Sequence, residues 1–227
     1  MSESSGARFP SGYAVAEASE LLEVFTPDGK PMGVAKSRRA VHEDGDWHLS
    51  FFCWVVRRGE RGIEALLQHR SHDKSTFPGR FDASCAGHVR FGETLAQASR
   101  ELEEELGLRV AMEDLTPLPM HRQEHLHASG LIDREHQAVH LLAVAGDLMG
   151  FRPDPVEVLG LAWVGFDDLI AVAEGSLATA TSRYWPSDCH DSDARNRPIA
   201  AGDLVPYPPL YYQVLRSAAQ MLFGRPS

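Results

Sequence analysis

Between Gly87 and Leu108 the chain runs from a glycine-flanked loop into a short helix that carries an unusual load of acid. Thr94 and Gln97 have the spacing of a capping box, which places the helix start near Leu95. Gly107 supplies the left-handed residue that ends it. Leu95, Ala98, Leu102 and Leu106 recur at helical spacing and predict one buried stripe. Glu101, Glu103, Glu104 and Glu105 all fall within five residues. At about 100° per residue, Glu101 and Glu105 lie together beside the stripe, Glu104 about a quarter turn further round, and Glu103 towards water. Like charges at these spacings repel by roughly 0.2–0.5 kcal/mol per pair on an exposed helix. A hard divalent cation would turn that cost into a gain, because carboxylate oxygens suit Mg2+ or Mn2+.

Arg100-Glu101-Leu102-Glu103-Glu104-Glu105-Leu106-Gly107-Leu108 resembles the second half of the Nudix box, and Gly87 with Glu93 resembles its first half. Six residues separate Glu93 from Arg100, where the usual box has seven. The resemblance implies an α/β protein with a mixed β-sheet, an α/β/α sandwich with the box helix beside the sheet. It also implies that Glu101, Glu104 and Glu105 hold metal and that Arg100 orients a box glutamate by an ion pair. Glu104 or the downstream Glu135 would then take a proton from water, with Glu135 preferred over Glu124.

The segment from Gln68 to Gly79 is similar to the region before the box in the Nudix branch that includes isopentenyl-diphosphate isomerases and their hydrolase relatives. There the basic pair, here Arg70 and Lys74, holds the substrate diphosphate. A guanidinium fork and an ammonium near a metal are natural phosphate binders. Gly33 to Ser50 and Ser84 to His88 also look like that branch, so the resemblance covers roughly residues 21–170. Isomerases of the branch bind a metal through three histidines and two glutamates. His42, His48 and His88 stand where the histidines are expected, as an additional metal site. Glu135 matches the first glutamate, and Gln137 stands in place of the second. That amide, with the retained box acids, favours a hydrolase over an isomerase.

Other residues read more plainly. His125 and His127 share a strand face by alternation and read as hydrogen-bonded or exposed histidines. Phe51, Phe52, Trp54 and Trp163 read as core. Cys85 lies beside the box without a paired base, which argues against a nucleophile. Cys53, Cys85 and Cys189 are too few and scattered for a disulfide framework or a zinc site.

At 227 residues and 43% hydrophobic, the chain suits one domain over residues 20–227 after a loose segment, 1–19. Glu20 to Ala35 predicts a hairpin about Pro27-Asp28-Gly29-Lys30, followed by a loop carrying His42, Gly45 and His48. Strands are predicted over His48–Arg57, Ile63–His69, Met120–His127, His136–Gly146 and Val156–Val164, with a short extended piece from Phe81 to Ala86. Asp167 and Asp168 begin a helix ending near Gly175. Residues 175–206 are polar and interrupted by prolines, and read as a long loop. A terminal helix follows, Tyr207 to Phe223, with Leu210, Val214, Leu215, Ala218 and Leu222 on its apolar face.

A net charge of −10 argues against a nucleic-acid polymer or an anionic membrane as partner. The absence of a signal peptide or membrane-length apolar run predicts a cytoplasmic protein. The implied activity is metal-dependent hydrolysis of a diphosphate linkage in a small nucleotide-type or cofactor-type substrate, with Mg2+ or Mn2+ as cofactor; a homodimer is left open. The alternatives are an isomerase of allylic diphosphates and a non-catalytic diphosphate sensor.

Overall fold

The computed structural model describes residues 20–146, 150–187 and 194–224, so the expectation for residues 1–19 lies outside the described residues. The predicted first hairpin is β1 (Leu21–Phe25) and β2 (Pro31–Ser37), closed by a turn in which Gly29 has φ 82°. The expected loop that follows contains a helix instead, α1 (Arg38–Asp44). Ser37 caps its N-terminus through a hydrogen bond from Ala40 N, and Gly45 ends it at φ 69°. Its seven residues, about two turns, are too few for a visible apolar period.

Strand β3 (Trp47–Gly59) is the spine of the molecule. It pairs antiparallel with β4 (Gly62–Arg70) and with β6 (Cys85–His88), and parallel with β9 (Ile132–Ala143). β5 (Phe81–Asp82) pairs with β4, while β7 (Thr116–Pro117) and β8 (His121–Leu126) pair with β9. β10 (Val158–Gly165) joins the other side of β4. The sheet is therefore mixed, as expected. Among the described residues it has twelve strands, with β10, β4, β3, β1 and β2 neighbours in that order along the main path.

Residues 175–206 are not the long loop that proline and polarity predict. They form β11 (Thr179–Pro186) and β12 (Arg195–Ala200), a hairpin that extends the sheet beyond β10. Ala180, Ser182 and Tyr184 alternate inward, but small and polar side chains hide that alternation from a hydropathy reading. Pro198 is tolerated because β12 is the sheet edge, where a missing N–H costs no ladder bond.

Two cores lie on opposite faces of the sheet. Even-numbered β3 residues Phe52, Trp54 and Val56 pack towards α4 (Phe166–Ala173) and α5 (Pro209–Gly224). Odd-numbered Phe51, Cys53 and Val55 pack against Ala98, Leu102 and Leu106 of the box segment. The period of two along one strand thus builds both layers of the α/β/α sandwich. Of the face predicted for the terminal helix, Leu215 is buried and Ala218 and Leu222 pack against the core, whereas Leu210 and Val214 are exposed and Tyr211, Tyr212 and Ala219 are buried instead. Tyrosines can fill a core when their hydroxyls find partners, and Tyr211 accepts from Trp54 Nε1 at 3.1 Å.

Candidate active site

The box helix is broken in two. α2 (Leu95–Ala98) begins at the predicted Thr94–Gln97 capping box, and α3 (Glu101–Leu106) ends at Gly107, φ 68°. Between them the backbone tightens: Arg100 N bonds Gln97 O, and Leu102 N bonds Ser99 O, each three residues back. This tightened turn sits where the box is one residue short. Ala98, Leu102 and Leu106 still form a buried stripe, with Leu95 at its margin.

Arg100 organises the acids around that turn. Its Nε donates to Glu93 Oε1 at 2.8 Å, its Nη1 to Glu104 Oε2 at 2.8 Å, and the same Nη1 to Glu101. Glu93 also accepts from Arg90 N at 2.9 Å, so it ties the loop to Arg100. Glu105 is buried and accepts from Gln68 Nε2 at 3.0 Å, Ala86 N at 3.2 Å and Lys74 Nζ at 3.3 Å. Burial raises the Glu101 carboxyl to about 7, with neighbouring Glu105 adding to the effect and Arg100 opposing it. Glu103 points outward and pairs with Arg109. Gly87 is needed for space, since a β-carbon there would collide with the Glu101 carboxylate.

The three histidines come together from three elements. His42 lies on α1, His48 on β3 and His88 at the end of β6. Their ring centroids are 5.1, 5.4 and 5.1 Å apart. Burial pushes His42 down to about 3 and holds His48 and His88 below the ordinary imidazole range. All three are therefore neutral at pH 7, the form that binds metal.

β9 supplies the acids, and here the sequence reading needs correcting. The second carboxylate is Asp133, two residues before Glu135, rather than Gln137, two residues after it. His48, Asp133 and Glu135 offer ligand atoms within 4.8 Å of one another, as do His42, His48 and His88. Gln137 instead donates to Glu135 Oε2 at 2.8 Å and to Gln123 Oε1 at 2.6 Å, while Ser50 Oγ donates to Glu135 Oε1 at 2.6 Å. Gln137 therefore holds Glu135 in place. Ser50, Gln68 and Gln123, which hold the site acids and Gln137, were not singled out in the sequence, although Ser50 shares the His48 strand face by alternation.

The donor set fits a metal ion. His42 Nε2, His48 Nε2 and Asp133 Oδ1 are buried without a hydrogen-bond partner. Asp133 Oδ1 stands 3.8 Å from His42 Nε2 and 3.7 Å from His48 Nε2. These gaps are too long for hydrogen bonds, but two ligands each about 2.1 Å from a shared ion would stand at such a separation. The box acids Glu101, Glu104 and Glu105 are not gathered to that degree. They line the same cavity, of about 620 Å3, with Arg70, Lys74, Gly87, His88, Asp133 and Glu135.

Arg70 and Lys74 are both engaged. Arg70 Nη1 donates to Asp82 Oδ2 at 3.0 Å, and Lys74 Nζ donates to Glu157 Oε2 at 2.6 Å as well as to Glu105. Cys85 points into the apolar core beneath the box helices, its thiol pushed up by burial, and Ala86 is the neighbour that lines the cavity.

A family model described as the NUDIX domain matches residues 46–184. An uncharacterized Nudix hydrolase of Clostridium acetobutylicum is 30% identical over 208 residues, covering 88% of this chain and 96% of that protein. An isopentenyl-diphosphate delta-isomerase of Cutibacterium acnes is 31% identical over 180 residues, 75% of this chain and 84% of the relative. A crystal structure of a Deinococcus radiodurans protein superposes with a TM-score of 0.51 at 22% identity, covering 69% of this chain and 90% of that one. That likeness speaks to the fold. The box, the sandwich and the family match agree: the chain belongs to the Nudix family.

Proposed function

We propose that the chain uses Mg2+ or Mn2+ to hydrolyse the diphosphate linkage of a small nucleotide-type or cofactor-type substrate. The observation that carries this reading is the single cavity lined by Glu101, Glu104 and Glu105, by Arg70 and Lys74, and by Glu135. Glu101, Glu104 and Glu105 would hold the ion or ions. A bound divalent ion neutralises phosphoryl charge and lowers the pKa of water. Arg70 and Lys74 take the diphosphate by charge-assisted hydrogen bonds. Arg100 keeps Glu101 and Glu104 turned to one side. Glu104, half exposed, and Glu135, oriented by Ser50 and Gln137, are the two acids assigned to take a proton from water. His42, His48, His88, Asp133 and Glu135, which converge as two groups sharing His48, would hold an additional metal ion.

That set also favours a second reading, an isomerase of allylic diphosphates. Gln137 carries no weight against it, since Asp133 supplies the second carboxylate. The hydrolase reading is preferred because Glu101, Glu104 and Glu105 all line the cavity. A panel of nucleoside, cofactor and isoprenyl diphosphates, each given with Mg2+ or Mn2+, separates the readings. Phosphate or pyrophosphate release from at least one member supports hydrolysis. Double-bond migration without release supports the isomerase, and binding without any turnover supports a sensor.

A further inference from the structure

His127 follows the end of β8 and turns the chain towards β9. Its backbone N–H donates to Leu131 O at 2.9 Å, and its carbonyl accepts from Gly130 N at 2.9 Å. This hairpin contact fixes where the ring begins. The ring Nε2 is buried and has no hydrogen-bond partner. Asp133 Oδ2 stands 4.0 Å from it. On the other side Phe77 packs against the imidazole, ring centroids 4.8 Å apart at 63°. Phe77 has φ 48°, a left-handed conformation uncommon for a bulky side chain, so the loop holds this ring at a conformational cost.

The two oxygens of Asp133 thus face different histidines. Oδ1 faces His42 and His48, at 3.8 and 3.7 Å, and Oδ2 faces His127. We propose that His127 is a positioning residue of the metal centre: its Nε2–H donates to Asp133 Oδ2 and keeps Oδ1 turned towards the ion. The proposal rests on the His42, His48, His88, Asp133 and Glu135 centre described above. His127 belongs to neither group of converging ligand atoms among the described residues, so it acts from behind the carboxylate. A small rotation of the imidazole or the carboxylate closes the 4.0 Å gap to a hydrogen bond. A ligating carboxylate held at its outer oxygen loses less freedom on binding, and such outer partners are typically worth 10–100-fold in metal affinity.

The test is a Co2+ titration of the full chain, read by visible absorption and by competition with a chelator. His48→Ala identifies the signal that belongs to this centre. His127→Ala is expected to weaken Co2+ by about 10–100-fold while leaving the absorption bands where they are, because the inner ligands are unchanged. His127→Gln keeps an N–H donor and is expected to restore most of the affinity, which also guards against a simple folding defect. In an Asp133→Asn background, His127→Ala should change affinity by no more than about twofold, since the two residues act through one contact. Unchanged affinity in His127→Ala would overturn the proposal. Shifted bands would overturn it as well, by making His127 an inner ligand. A wild-type chain with no His48-dependent Co2+ signal would instead sink the centre itself, and the role of His127 with it.

Discussion

Glu104 and Glu105 are neighbours in sequence with very different surroundings. Glu105 is buried beneath Gln68, Lys74 and Ala86 N, while Glu104 is half exposed and held by Arg100. Glu104→Gln and Glu105→Gln should each lower turnover by at least about 10²-fold, read by steady-state kinetics at saturating metal. The helix should survive, because glutamine is nearly as good a helix former. Glu103→Gln, at the outward pair with Arg109, should be nearly silent. Glu101 gives a pH signature. A carboxyl raised from 4.5 to about 7 by burial favours the folded, protonated form. Its stabilising contribution is complete below 4.5 and is lost as pH rises towards 7. In metal-free protein, wild type should therefore lose stability relative to Glu101→Gln across that window, by on the order of a few kcal/mol. A pH-independent difference in thermal midpoint would contradict this. The box acids were legible because their pattern is local. Asp133 was not, because the resemblance takes Glu135 as the first acid of its pair and looks for the second at Gln137, whereas on β9 the acid that converges with Glu135 lies two residues upstream.

At the scale of elements, β6 and α3 meet at Gly87 and Glu101. Gly87→Ala should push the Glu101 carboxylate aside and lower turnover by about 10²-fold, with circular dichroism still native. Near-normal turnover would mean that Glu101 tolerates displacement and does not hold metal. The long apolar strands β3 and β4 were readable from composition, and the capping box at Thr94 from spacing. The elements that escaped have specific causes. α1 is too short to show a period, and β11 buries Ala180 and Ser182 where a hydropathy reading looks for larger apolar residues. α5 buries Tyr211 and Tyr212, whose hydroxyls make tyrosine ambiguous in sequence, and leaves Leu210 and Val214 outside.

At the scale of the molecule, the site gathers residues that no local pattern joins. Val205 and Tyr207 line the cavity from beyond the family match at 46–184, and Tyr207 Oη donates to Asp82 Oδ1 at 2.8 Å. Asp82 in turn accepts from Arg70, so the C-terminal segment is linked to the basic pair. The overall charge of −10 repels an anionic substrate, so the proposed phosphate binding relies on ions at the box acids and on the cations Arg70 and Lys74. Among the described residues no helix is long and apolar enough to cross a membrane. The most direct test of the hydrolase reading is a reaction in water enriched in both heavy oxygen and deuterium, with a panel of diphosphates and Mg2+ or Mn2+. Hydrolysis predicts heavy oxygen in the released phosphate or pyrophosphate and no carbon-bound deuterium in isoprenyl diphosphates. Deuterium on carbon, without heavy oxygen in any phosphate product, would contradict it.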